Sequence, residues 1–151
     1  MKKMDFLKDY EKIADIHAKR LSDAIQKTVH LFPLKVSLFP TMKVDDVAFL
    51  DMITTRFGKL QDIIGAKIFS LILDILGENA VSFRDKLNTL EKLNILEDAS
   101  WWMDLREIRN QLTRDYPDDY DSLVKHLNDL IPHAKNLLTF WESLKRYIHD
   151  L

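Results

Sequence analysis

The chain has 151 residues, of which 46% are hydrophobic and 30% are charged, and its formal net charge is −2. These values predict one globular domain over residues 1–151 and argue against indiscriminate binding of nucleic acid through a general positive field. The absence of cysteine excludes disulfides, thiolate nucleophiles and cysteine zinc sites. A charged N-terminus and the lack of long apolar runs predict a soluble, cytoplasmic protein without a membrane span.

The first part of the chain is expected to be helical. With three glycines and four prolines, the composition favours an all-α fold, an up-and-down bundle of four to five helices. Apolar residues recur at helical spacing over residues 4–32, which predicts the first helix. Pro33 and Pro40 predict a loop, because the residue before a proline favours extended geometry. Thr41 or Asp45 is expected to cap the second helix.

The second helix is expected over about residues 46–76, with apolar residues on two faces, which is typical of a central helix. Gly58 and Gly65 are interpreted as positions where a neighbouring helix approaches closely. Asp62 lies on the same face. Two alternatives are open for it: exposure to water, or pairing with an arginine from residues 105–120.

Three further helices are predicted. One covers about residues 82–93 and ends at Asn94, since asparagine tolerates the left-handed conformation. The next begins near Ser100 and ends at Pro117, with an apolar stripe that comprises Trp101, Leu105, Ile108 and Leu112. The last starts with Asp118 and Asp119 as cap and first-turn acids and runs towards residue 147, with Pro132 kinking or dividing it.

The polar residues of the fourth predicted helix, within LREIRNQLTRDYPDDY at residues 105–120, share one side. At about 100° per residue, they span an arc of about 140°. The members are Arg106, Arg109, Asn110, Thr113 and Arg114, with Tyr116 just past the edge. Arginine pairs bidentately with phosphate, so the arc could seat an RNA backbone. The alternative is a solvated face whose cations complement the helix dipole.

The run RNQLTRDY, with LEKLNIL and WWMDLREI before it and PDDY after it, resembles the HEPN superfamily. The likeness is greatest to the HepT-like group, whose members pair with minimal nucleotidyltransferases, and RFGKLQDIIGAKIF is similar to the matching earlier helix. The family signature is an arginine, then four to six residues, then a histidine, often with a tyrosine two positions later. Arg109, Asn110 and Tyr116 match this signature, whereas Arg114 stands at the histidine position.

The resemblance implies a homodimer of helical bundles that cleaves RNA without metal, by attack of the 2′-hydroxyl on the adjacent phosphate. It implies catalytic positions at Arg109, Asn110 and Arg114, and neither a cofactor nor a metal. Arg106 and Thr113, which share the polar arc with them, are expected to contact RNA. A guanidinium stays protonated near neutral pH, so Arg114 cannot exchange a proton as imidazole does. Losing a general acid or base costs ~10²- to 10⁴-fold in rate. Weak or lost cleavage is therefore expected.

Tyr116 and the two tryptophans have alternative interpretations. In systems that this chain resembles, the partner enzyme attaches AMP to the tyrosine at this position, which neutralises the toxin. Tyr116 is interpreted either as that modified residue or as an aromatic packed before Pro117. Trp101 is assigned to the apolar stripe, while Trp102 is interpreted as a core residue or as part of a cleft or subunit interface.

The five histidines give no metal-binding pattern, because no pair shows the i, i+4 spacing beside an acid. His126, in the last predicted helix, is the one candidate to replace the missing imidazole. His17 falls on an apolar seam and is interpreted as a hydrogen-bonded core residue.

Three functional hypotheses follow. The first is a HepT-like toxin subunit directed at RNA, with an altered nuclease site. The second is a non-catalytic subunit that docks on a minimal nucleotidyltransferase antitoxin and presents RNA, nucleotide or Tyr116 to it. The third is a scaffolding bundle. Arg114 favours the second over the first, whereas Arg109, Asn110 and Tyr116 argue against the third.

Overall fold

The structure is a computed structural model that describes residues 2–114 and 118–151. Within these ranges every regular element is helical and no strand is present, which confirms the all-α expectation for this part of the chain. The buried apolar side chains of the helices form one hydrophobic cluster. The α-helices are α1 (Lys3–Lys27), α2 (Val44–Ile63), α3 (Phe69–Ile75), α4 (Phe83–Lys92), α5 (Ala99–Arg114) and α6 (Tyr120–His149).

A π-helical turn, Ile64–Ile68, joins α2 directly to α3. The two therefore form the one long helix expected over residues 46–76. Its start differs from the expectation, because Lys43 is the N-cap and no side chain caps the backbone. The cap predicted at Thr41 or Asp45 was wrong: Asp45 lies inside the first turn, where its charge still complements the helix dipole.

The connection between α1 and α2 is more ordered than the sequence predicts. The buried Thr28 hydroxyl donates to the carbonyl of Ala24 across 2.8 Å, just past the end of α1 at Lys27. The chain continues through two 3-10 helices, Val29–Leu31 and Val36–Thr41. The second replaces the expected loop, because the fixed φ of Pro40 is compatible with 3-10 geometry.

Both ends of α4 agree with the prediction. The hydroxyl of Ser82 accepts a hydrogen bond from the backbone amide of Asp85 at 3.0 Å, which caps the first turn. After the helix, Asn94 has a φ of 59°, the left-handed conformation that asparagine tolerates.

Helix α6 begins where the sequence indicated. The carboxylate of Asp119 accepts from the backbone amide of Ser122 at 3.1 Å. The helix then runs without interruption past Pro132 to His149, so of the two predicted alternatives, a kink or a division at Pro132, the division is excluded. Proline removes a single backbone donor there, while the residues on either side, Leu130 and Ala134, are fully buried and hold the helix against the core.

Trp102 of α5 lies fully in the core and not in an open cleft. Its ring is 4.8 Å from that of Phe69 and 5.8 Å from that of Phe140. Gly65 makes the necessary room, because a Cβ at that position would lie 3.1 Å from the indole nitrogen. The prediction of close helix approach at Gly65 is thus confirmed. Trp101 is half-buried and packs against Phe140.

Candidate nucleic-acid interface on helix α5

The polar residues singled out in α5 lie together along its outer side. The side chains of Leu105 and Leu112 are buried in the core, which fixes the rotation of the helix. Away from that core, three of the polar residues are exposed and two, Arg109 and Asn110, are half-buried. We call the whole set the arginine face: Arg106, Arg109, Asn110, Thr113 and Arg114.

Arg109 is held by the long central helix. Its Nη2 donates to Oδ2 of Asp62 across 2.7 Å, and the two side chains are 36% and 49% exposed. A Cβ at Gly58 would lie 3.6 Å from Cγ of Arg109, an ordinary contact distance. Asp62 is therefore both exposed and paired, so the two alternatives drawn from the sequence coexist. The carboxylate takes one nitrogen and leaves other guanidinium donors for a ligand.

Arg106 is supported from a different helix. The carbon of its guanidinium lies 4.4 Å from the ring centroid of Phe83, at the start of α4. Such a cation–π contact leaves the N–H groups of the guanidinium available for hydrogen bonds. The contact with Phe83 could not be predicted from the sequence, since nothing in the local pattern indicates which helix packs beside Arg106.

Thr113 and Arg114 differ in the hydrogen-bond donors that they can offer to a ligand. The hydroxyl of Thr113 donates to the backbone carbonyl of Asn110 at 2.8 Å. Its proton is therefore engaged, and the expected donation from Thr113 to a phosphate requires the hydroxyl to rotate. Arg114 is exposed at the last residue of α5 and makes no ion pair or hydrogen bond with the other described residues. Tyr116 and Pro117 lie outside the described residues.

His126 lies on another flank of α5. It lines a cavity of about 330 Å³ between α5 and α6, together with Gln111 and His133. Gln111 is about 160° around α5 from Arg109 and about 60° from Arg114. The cavity that His126 lines therefore flanks the side of α5 next to Arg114. Its role as a substitute for the missing histidine stays a prediction.

Three of the other histidines, His17, His30 and His149, have partners on different elements. Nδ1 of His17 is 2.9 Å from Nη1 of Arg56, so the expected hydrogen bond is present, but His17 is half-buried and not a core residue as predicted. His30 pairs with Asp46, and His149 lies 2.7 Å from Glu11. Among the residues that the structure describes, no three His, Asp or Glu side chains group in a way that could hold a metal ion.

Comparison with known proteins gives no relative: no family model, curated protein or solved structure matches the chain. None of the helices within the described ranges combines the length and the apolar character that crossing a bilayer requires. The chemistry of the arginine face therefore carries the functional argument.

Proposed function

We propose that the arginine face binds the phosphate backbone of RNA, and that the chain is a HepT-like toxin–antitoxin component whose RNA cleavage is weak or lost. The observation that carries this proposal is the set of three guanidinium groups on the outer side of one helix end. Two of them are held in place, Arg109 by Asp62 and Arg106 by Phe83. Pre-positioned arginines lose less side-chain freedom when they bind phosphate bidentately.

The three arginines would have different tasks. Arg109 and Arg106 present donors from fixed positions and would set the register of the phosphate backbone. Arg114, unpaired among the described residues, can move to meet a phosphate. Asn110 lies between Arg106 and Arg114 around the helix and can donate through its side-chain amide. These are contacts to phosphate and sugar, so they would bind RNA without reading its bases.

The cleavage chemistry would be limited by a missing proton carrier. Attack of the 2′-hydroxyl on phosphorus requires a group that takes its proton, and departure of the 5′-oxygen requires a group that returns one. A guanidinium stays protonated near neutral pH, so the side chain of Arg114 cannot accept the first proton. It can stabilise charge on the phosphoryl oxygens. A site of this composition would hold RNA and break it slowly.

Arg114 also favours a second candidate, a non-catalytic subunit of a minimal nucleotidyltransferase that presents Tyr116 for modification. A homodimer of bundles remains part of both proposals. This candidate function requires a small nucleotidyltransferase, encoded by a neighbouring gene, that binds the chain and attaches AMP to Tyr116. Mass spectrometry of the co-purified proteins measures the added AMP unit, and Tyr116→Phe should remove it.

The deciding experiment compares wild type with Arg114→His in an RNA cleavage assay that contains EDTA. We expect wild type to bind RNA with little cleavage and Arg114→His to cleave ~10²-fold faster or more, because an imidazole restores proton transfer. Adding Arg109→Ala should abolish the gain. Arg146→His, on the exposed end of α6, is the matched control and should change nothing.

Two results would contradict the proposal. Fast, EDTA-resistant cleavage by pure wild type would show that residue 114 does not need an imidazole. If Arg109→Ala and Arg114→His alter neither RNA binding, cleavage nor partner binding, the bundle is a scaffold.

A further inference from the structure

A second group of basic residues lies where α1 packs against α2. His17 and Arg20 come from α1, while Arg56 and Lys59 come from α2. Nη1 of Arg56 is 2.9 Å from Nδ1 of His17, and because a guanidinium only donates, His17 accepts this hydrogen bond as a neutral imidazole. We call these four residues the α1–α2 basic cluster.

Within the part of the chain that the structure describes, no ion pair neutralises the charges of this cluster. No carboxylate forms an ion pair with Arg20, Arg56 or Lys59 among the described residues. All three cations act on His17 and, after burial, lower the pKa of its imidazole. Arg109, by contrast, has Asp62 as its counter-ion. On a chain of net charge −2, three cations without an ion-paired carboxylate among the described residues form a local excess of positive charge that an anion would relieve.

The cluster and the arginine face meet across α2. On an ideal helix, Lys59 lies about 60° from Arg56 on one side and about 60° from Asp62 on the other. Arg56 and Asp62 are separated by about 9 Å along the helix axis. Asp62 in turn contacts Arg109 of α5. Positive side chains therefore lie on α1, on the exposed side of α2 and on α5, with the Asp62 carboxylate between Lys59 and Arg109.

We propose that the α1–α2 basic cluster is a second phosphate-binding site, which holds the backbone of the same single-stranded RNA beyond the arginine face. This inference rests on the proposed function and extends it, because it gives the RNA a path over α5, α2 and α1. Arg20 and Lys59 are exposed and can reach phosphates directly. Arg56, half-buried and bonded to His17, is fixed beside them. Contacts of this kind are independent of base sequence.

The test removes two charges that make no contact needed by the fold. Arg20→Gln with Lys59→Gln is compared with wild type for binding of a fluorescent single-stranded RNA over a range of salt concentrations. Each lost phosphate contact reduces the slope of log affinity against log salt by about 0.7, so the slope should fall by about 1.4. The ratio of wild-type to variant affinity should therefore narrow about sevenfold between about 50 and about 200 mM salt.

The matched control is Lys35→Gln with Arg146→Gln, which removes the same charges from exposed positions on other elements. Its slope should equal that of wild type. A cluster variant with the wild-type slope, or with only the change that the control shows, overturns the inference. So does a variant that keeps its RNA affinity but loses an acidic protein partner, since the cluster would then be a protein contact.

A third variant, Arg106→Gln with Arg114→Gln, separates this inference from the proposed function. If this third variant loses RNA binding and the cluster variant does not, the result supports the proposed function and overturns the second site. Loss in the cluster variant alone supports phosphate binding on α1 and α2 and overturns the role of the arginine face. Absence of RNA binding by wild type overturns both.

Discussion

The Arg109 guanidinium donates to the Asp62 carboxylate across 2.7 Å and so joins α5 to the central helix. The two residues are far apart in the sequence, and the pair lies at the edge of the arginine face. Because both side chains remain partly exposed, water and salt screen the interaction. The pair therefore orients Arg109 more than it stabilises the fold.

Asp62→Asn tests whether Asp62 affects RNA binding mainly by orienting Arg109 or mainly by repelling phosphate with its negative charge. Replacing a carboxylate that repels phosphate should raise RNA affinity at low salt, while the free energy of unfolding falls by less than ~1 kcal/mol. Fluorescence anisotropy and urea denaturation measure the two effects. Asp74→Asn, which changes an exposed acid of α3, should alter neither. A tenfold drop in affinity for Asp62→Asn would instead mean that orientation dominates.

Two glycines of the long central helix should respond oppositely to alanine. A Cβ at Gly65 would lie 3.1 Å and 3.3 Å from atoms of Trp102, whose fully buried ring cannot move away. Gly65→Ala should therefore destabilise the protein by about 1–3 kcal/mol. At Gly58 the nearest atom is 3.6 Å away, so alanine should be neutral or stabilise by up to ~1 kcal/mol through helix propensity. Equal effects in urea denaturation would contradict this account of the packing.

Acid should weaken the fold through His17. Burial, followed by Arg56, Lys59 and Arg20, lowers the pKa of His17 below its ordinary value of 6.5. The unfolded chain then binds a proton near pH 6.5 while the folded chain does so only at lower pH, so the free energy of unfolding decreases as the pH falls below about 6.5.

The measurement compares wild type with His17→Asn, which keeps an acceptor for Arg56. Between about pH 7.5 and about pH 5, wild type should lose more stability than the variant. Added salt should narrow the difference, because it screens the cations. Identical pH profiles would show that the imidazole is not affected by its neighbours.

Asn128 of α6 fixes the segment between α1 and α2. Its Oδ1 accepts from the backbone amide of Leu34 at 2.7 Å, and its Nδ2 donates to the carbonyl of Leu34 at 3.0 Å. Because Leu34 is buried, Asn128→Ala leaves two backbone groups without partners and should cost about 2–4 kcal/mol in thermal or urea unfolding. Asn136→Ala, exposed on the same helix, should stay within about 0.5 kcal/mol. A similar loss in both variants would disprove the bridging role.

The sequence by itself determined the helical class and the one long helix over residues 46–76. It also determined the helix starts at Ser82 and Asp119 and the helix end at Asn94. These features depend on side chains a few residues apart, whose spacing and capping chemistry are local. The same reasoning placed the arginine face on one side of α5 and indicated that Gly65 admits a neighbouring helix. It failed at the end of α1, which stops at Lys27 and not near residue 32. At Pro132 it left a kink and a division as alternatives, and packing excluded the division, because Leu130 and Ala134 are buried on either side.

Only the tertiary structure decided which residues from distant helices meet. It paired Arg109 with Asp62, placed Phe83 under Arg106 and brought Arg20 and Arg56 together at the contact of α1 with α2. No periodicity encodes such pairs, since they depend on how whole helices pack and rotate against a shared core. Helix periodicity puts a charge on an outer face, but the neighbour across the groove decides whether it is neutralised or left for a ligand.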